Sequence, residues 1–98
     1  MAYAVAVRWR AREGEEEAVR AILERFAPIA REEPACRLFL VHRSPEDPRT
    51  FYLYELYDDE AGFQAHAATE AFATHVLGDA VPRLEERVRE FYETLDGT

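Results

Sequence analysis

The 98-residue chain is 48% hydrophobic and 12% aromatic, which predicts one globular domain over residues 1–98 rather than a disordered segment. Its net charge is −8, whereas a nucleic-acid-binding protein needs a concentrated basic face. No apolar run approaches the ~20 residues that span a bilayer, and the first apolar stretch is too short for a secretory signal. We therefore expect a cytoplasmic protein that binds neither nucleic acid nor membrane.

Few side chains in the sequence can support catalysis. All twelve basic residues are arginines, which excludes Schiff-base chemistry on lysine, and the single cysteine, Cys36, excludes an internal disulfide. His42, His66 and His75 show no metal-ligand spacing, and the four glycines are scattered rather than grouped in a phosphate-binding loop. We expect no metal and no cofactor.

The first predicted element is a strand from Tyr3 to Trp9, with alternate residues on one face. A helix follows Gly14 and opens with three glutamates, whose charge complements the helix dipole. Its apolar residues at helical spacing predict a buried stripe of Val19, Ile22, Leu23, Phe26, Ile29 and Ala30. Pro28 is expected to bend this helix or to loosen its last turn.

Two more strands are predicted, Cys36 to Arg43 and Thr50 to Tyr57, joined by a proline-rich turn over residues 44–48. The strands are apolar or aromatic on both faces, whereas a sheet with one face in water should alternate. Since helices cover only one face of a two-layer domain, we predict a homodimer in which two sheets pack face to face. The alternative is that the tyrosines are half-exposed, with their hydroxyls in water.

The second half of the chain predicts two short helices. Asp58 is a plausible N-cap for a helix that runs through about Ala67. Thr69 can cap another helix through about Leu77, and Gly78 is a good stop.

The last segment, about Arg83 to Leu95, fits a helix as well as a strand. The order β-α-β-β-α-β is that of an α+β ferredoxin-like sandwich, which favours a strand from about Arg87 after a helical turn.

His66 is the best candidate for a functional side chain. It lies three residues after Phe63 and six before Phe72, so it shares the apolar side of its helix. It is either a core histidine with its hydrogen bonds satisfied or the catalytic residue of a small-molecule pocket. As a base it is well suited to neutral pH, because a free imidazole titrates near ~6.5.

Aromatic side chains could line such a pocket and stack on a flat ring. The candidates are Trp9, Tyr52, Tyr54, Phe63 and Phe72. Only some of them can face inward, because Tyr52 and Tyr54 lie on the strand face opposite Leu53 and Glu55.

Glu55 is a carboxylate in the middle of an aromatic strand, where burial is costly unless the charge is paired. It could orient His66 or a substrate hydroxyl. The favoured alternative is an ion pair with an arginine such as Arg8, Arg10 or Arg37, within the chain or across a dimer interface.

Three segments resemble the antibiotic biosynthesis monooxygenase (ABM) family: Glu33-Pro34-Ala35-Cys36, the strand Phe51 to Tyr57, and the stretch Phe63 to Phe72. The family pattern there is Glu-Pro-Gly-Cys, an aromatic strand ending Glu-x-Trp, and His-x-x-(Ser/Thr) followed by Phe. The departures are Ala35 for Gly, Tyr57 for Trp and Ala71 for a frequent second His. The resemblance implies a dimeric α/β barrel with one pocket per subunit, between the sheet and the helices.

The family resemblance implies several possible reactions. Some members oxidise phenols or quinols to quinones without metal or flavin, others degrade haem, and one branch isomerises a phosphorylated sugar. The haem-degrading relatives use Asn, Trp and His where this chain has Val7, His66 and Val76, which disfavours haem.

We therefore expect a cofactor-independent monooxygenase that acts on a small aromatic molecule and dioxygen, with His66 as the base. A non-catalytic dimeric binding module is the alternative. An isomerase of a small phosphorylated metabolite is a weaker one, whose cationic pocket only arginines could supply.

Overall fold

The computed structural model describes residues 1–97, and β1 (Tyr3–Ala11) is an inner strand of its four-stranded antiparallel sheet. The other strands are β2 (Cys36–Arg43), β3 (Thr50–Tyr57) and β4 (Leu84–Glu93). Their order is β2-β3-β1-β4, and the register places Val5 opposite Glu55 on β3 and opposite Phe91 on β4. This topology confirms the predicted ferredoxin-like α+β fold.

The first helix, α1, spans Glu16–Arg31 and buries the predicted stripe with one exception. Ile29 is exposed, because it lies about 90° around the helix from the centre of the stripe. Ala27 is buried in addition. The helix continues past Pro28, and bonds from Glu32 and Glu33 to carbonyls three residues back close its last turn.

The second helix, α2 (Glu60–Ala67), begins one residue later than predicted. Asp59 is the N-cap, and its Oδ1 accepts a hydrogen bond of 2.9 Å from the Gly62 N–H. Asp58 instead binds Arg37, and its own N–H donates to the carbonyl of Ala35. The prediction of Asp58 as the cap was therefore wrong by one position.

A π-helix, Phe72–Ala80, and a 3₁₀ turn, Val81–Arg83, complete the helical layer. Thr69 has its predicted capping role, since its hydroxyl accepts from the Phe72 N–H at 3.1 Å. Gly78 does not end the helix. Positive φ angles occur in the described residues at Gly14 and Gly97, so Gly78 does not adopt the left-handed conformation of a helix-ending glycine.

The last segment is a strand, as favoured, and it starts at Leu84 rather than about Arg87. It lies at the edge of the sheet and pairs with β1 alone.

The helices cover one face of the sheet, and the largest buried side chains lie between them. The opposite face, which we call the outer face, carries exposed apolar residues in the described chain. These residues are Leu40, Tyr52, Val88 and Tyr92. No helix within residues 1–97 is long and apolar enough to cross a membrane.

Candidate functional site

His66 lies at the centre of the helical layer and is 2% exposed. The cap at Asp59 sets the start of α2, so that Phe63 and His66, three residues apart, both face the sheet. Aromatic rings surround the imidazole at centroid distances of 5.2 to 6.3 Å. They belong to Phe26, Phe39, Tyr57, Phe63 and Phe72.

Glu33 is the hydrogen-bond partner that orients this ring. It lies in the loop after α1, and the His66 Nδ1–H donates to its two carboxylate oxygens at 2.9 and 3.1 Å. Because a carboxylate can only accept, the proton of the neutral imidazole is on Nδ1 and the lone pair is on Nε2. Sequence reasoning assigned no role to Glu33. The available signal was its place at the head of the Glu33-Pro34-Ala35-Cys36 motif.

Glu55 lies on the other side of the imidazole. Its Oε1 is 3.8 Å from His66 Nε2 and accepts a hydrogen bond of 2.7 Å from the Tyr57 hydroxyl. Glu55 and Tyr57 are two residues apart on β3, so both point to the helix-covered face. The half-buried Glu33 and the buried His66, Glu55 and Tyr57 thus form one polar row, which we call the acid–histidine cluster.

The predicted ion pairs of Glu55 within the chain are wrong. Arg8 pairs with Glu86, Arg10 with Asp47 and Glu85, and Arg37 with Asp58. Arg8 and Arg10 alternate with Val7 and Trp9 on β1 and therefore extend from the outer face, away from Glu55.

Burial sets the protonation of the cluster. It lowers the pKa of His66 below the ordinary 6.5, against the opposing effect of Glu33, so the imidazole is neutral at pH 7. Burial also raises the pKa of Glu55 from 4.5 to about 7, although the Tyr57 hydrogen bond opposes it. The pKa of Tyr57 is raised by burial and by Glu55. The cluster therefore holds a neutral base beside a carboxyl group that is partly protonated at neutral pH.

Cys36 is not an activated nucleophile. Burial, together with the negative charge of Glu33, raises the pKa of its thiol to about 11. The thiol is therefore protonated at neutral pH.

A cavity of about 20 Å³ reaches His66, and the depression that includes its solvent-open mouth encloses about 350 Å³. Of the predicted pocket residues, it is lined by Trp9, Glu55, Phe63, His66 and Phe72. Tyr52 and Tyr54 do not line it, because they lie on the outer face of β3; for this pocket the expectation was wrong. The accessible space holds about one water-sized molecule, so an aromatic ring must occupy the solvent-open part of the depression or displace side chains.

Arg87 and Arg89 line the same cavity and were missed by sequence reasoning. On β4 they lie opposite Trp9 and Val7 of β1, on the helix-covered side of the sheet. The signal was their spacing of two residues, which places both on one face of a strand. This spacing implies a shared face only in a strand, and the sequence of the segment fitted a helix equally well.

The model of the antibiotic biosynthesis monooxygenase family matches residues 2–77. A Nitrosomonas europaea protein named for the same family is 24% identical, over 96% of this chain and 90% of that one, with a TM-score of 0.90. A second N. europaea protein, of unknown function, is 28% identical over 99% and 92%, with a TM-score of 0.86. A Mycobacterium tuberculosis structure is 20% identical over 99% and 98%, with a TM-score of 0.90. No curated protein matches the chain.

The family match includes all four members of the acid–histidine cluster, Glu33, Glu55, Tyr57 and His66, and ends before Arg87 and Arg89. The match runs from β1 into the π-helix and covers more than half of the sequence. The chain therefore belongs to the antibiotic biosynthesis monooxygenase family.

Proposed function

We propose that the protein is a cofactor-independent monooxygenase that oxidises a small phenol- or quinol-type aromatic to a quinone with dioxygen. The observation that carries this proposal is the neutral imidazole of His66, held through Nδ1 by Glu33 and lining a cavity. Nε2 is the atom available to accept a proton. The family membership supports an oxygenase, and the reaction and substrate are our proposal.

The proposed reaction starts with transfer of the phenol proton to His66 Nε2. Glu33 stabilises the resulting imidazolium, and Glu55 is placed to stabilise its second N–H. The electron-rich phenolate then passes an electron to dioxygen. The resulting phenoxyl radical and superoxide form a C–O bond at a ring carbon. One oxygen atom ends in the quinone as the O–O bond and a ring C–H bond break. The other leaves as water, which takes that hydrogen and the proton that His66 returns.

The shape of the cavity is consistent with this division of roles. Its accessible space of about 20 Å³ is of the size that one small molecule such as dioxygen needs, and the ring would occupy the solvent-open part of the depression. Phe63, Phe72 and Trp9 exclude water from the reacting atoms, and holding both reactants together lowers the entropic part of the barrier.

The test is oxygen consumption with a panel of quinols and anthrone-like phenols. We expect His66→Ala and the polar variant His66→Asn to lose roughly 10²- to 10⁴-fold in kcat/KM, the usual contribution of a general base. His75→Gln is the matched control, because His75 does not line the cavity. Wild-type turnover by His66→Ala would exclude His66 as the base.

The second candidate function is a non-catalytic dimeric module that binds a small molecule in the same cavity. The observation in its favour is the enclosure of His66, which is 2% exposed. Saturable binding of an aromatic ligand by a protein that consumes no oxygen with any member of the panel would select this candidate.

We also propose that the protein is a homodimer that buries the outer face. Four exposed apolar side chains on one sheet face form the kind of patch that a monomer rarely leaves in water, and a second copy presents the same patch.

A further inference from the structure

The cavity is lined by two arginines, Arg87 and Arg89, that form no ion pair in the described chain, although the charge of Glu55 in the same cavity interacts with both. Of the other ten arginines, Arg12 and Arg31 donate to backbone carbonyls, and eight form ion pairs with carboxylates: Arg8, Arg10, Arg20, Arg25, Arg37, Arg43, Arg49 and Arg83. Arg87 and Arg89 form none with any carboxylate of residues 1–97. In a protein of net charge −8, the two arginines outnumber Glu55, the one acidic residue that lines the cavity with them.

Two hydrogen-bond donors at this place also lack acceptors among residues 1–97. They are the indole N–H of Trp9, a residue that is 2% exposed, and the Nε–H of Arg87. Both residues line the cavity and lie opposite each other in the β1–β4 register. Buried donors are normally paired, because an unmade hydrogen bond costs ~1–3 kcal/mol. A bound acceptor in the cavity would satisfy both.

We propose that Arg87, Arg89 and the indole N–H of Trp9 bind a carboxylate carried by the aromatic ring of the ligand. The inference deepens the proposed function by naming the class of substrate, an aromatic carboxylate with a ring hydroxyl. A guanidinium binds a carboxylate through two parallel hydrogen bonds, and the neighbouring arginine adds a second positive charge. The ring then extends from the arginines toward Phe63, Phe72 and His66.

A phosphate dianion fits this site less well than a carboxylate. Glu55 faces the same cavity and Glu33 lies behind His66, so each further negative charge on the ligand meets two carboxyl groups. The two arginines and Glu55 together leave about one positive charge, which a monoanion neutralises with the least repulsion from Glu55.

The fluorescence of the single tryptophan measures binding directly, because Trp9 itself lines the site. The probes are 4-hydroxybenzoate, its neutral amide and phenyl phosphate. We expect the wild-type protein to bind the benzoate at least tenfold more tightly than the amide. The double variant Arg87→Gln/Arg89→Gln should lose this preference, whereas Arg25→Gln, which changes an exposed arginine on α1, should keep it.

The double variant Arg87→Lys/Arg89→Lys keeps both charges but not the paired hydrogen bonds, and we expect it to retain only part of the preference. Thermal melts of each variant show whether it is folded. A lost preference in a folded variant then reports a change in the binding site rather than unfolding. Equal affinity for benzoate and amide, or an unchanged preference in a folded glutamine double variant, would overturn the inference. So would tighter, arginine-dependent binding of phenyl phosphate.

The binding readout is independent of turnover. Arginine-dependent binding of 4-hydroxybenzoate by a protein that consumes no oxygen would support this site while removing the proposed reaction.

Discussion

At the scale of single residues, the structure pairs each member of the acid–histidine cluster with a different partner. Glu33 fixes the tautomer of His66, and Tyr57 fixes one oxygen of Glu55. Glu55 differs from a surface glutamate in its protonation, because a surface glutamate is ionised at neutral pH. Burial favours its neutral form, and its raised pKa makes folding pH-dependent.

The sign of this pH dependence follows from the direction of the shift. The folded state holds the Glu55 proton more tightly than the unfolded state, so the residue stabilises the fold at low pH. That contribution is lost as pH rises from about 4.5 to about 7. Between about pH 5.5 and 8 we expect the free energy of unfolding of the wild type, relative to Glu55→Gln, to fall by about 2 kcal/mol.

Urea unfolding of the wild type and of Glu55→Gln at several pH values measures this difference. His66 is present in both proteins, so its own titration cancels in the comparison. Its pKa is lowered by burial, so it destabilises the fold as pH falls below about 6.5, an effect shared by wild type and variant. Glu46→Gln, at an exposed turn, is the control and should show no such trend. A pH-independent difference for Glu55→Gln would contradict the raised pKa.

At the scale of elements, the contact between α2 and the loop after α1 is what brings His66 to Glu33. Gly62 makes this approach possible. A Cβ there would lie 2.7 Å from the Cβ of Ala35 and 3.4 Å from that of Tyr57. Because Gly62 has no side chain, the loop that carries Ala35 can pack directly against α2. Ala35 is two residues from Glu33, so this packing also positions the Glu33 carboxylate.

Gly62→Ala tests this contact through the sign of its effect. In an exposed helix the change would stabilise by roughly 0.5–1 kcal/mol, because alanine is the better helix former. Here the clash should destabilise by about 1–3 kcal/mol. Chemical denaturation measures the change, and Ala65→Gly, on the exposed side of α2, calibrates the helix propensity. A more stable Gly62→Ala protein would show that the helix and loop are not tightly packed.

At the scale of the whole molecule, the proposed homodimer rests on the outer face. Leu40 on this face is 41% exposed, and Ile29 on the free side of α1 is 42% exposed. Light scattering should give the mass of a dimer for the wild type. Leu40→Glu should shift it toward the monomer, because it buries a charge in the interface, whereas Ile29→Glu should leave it unchanged. A monomeric wild type in dilute solution would exclude the dimer.

Much of the fold could be predicted from local pattern. The bounds of β2 and β3 match the predicted strands, and the buried stripe of α1 differs by Ile29 and Ala27. The errors at Asp58, Gly78 and the start of β4 lie at element ends, where a tertiary contact or a different helix winding decided the boundary.

The sequence by itself determined the strand and helix periods, the ferredoxin-like order and the shared face of Phe63 and His66, because backbone geometry fixes which near neighbours point the same way. Only the tertiary structure decided that Glu33 reaches His66 from 33 residues away and that Arg87 and Arg89 face the same cavity. It also placed Tyr52 and Tyr54 outside that cavity. Those contacts depend on how distant segments pack, and no local spacing in the chain encodes the distance between them.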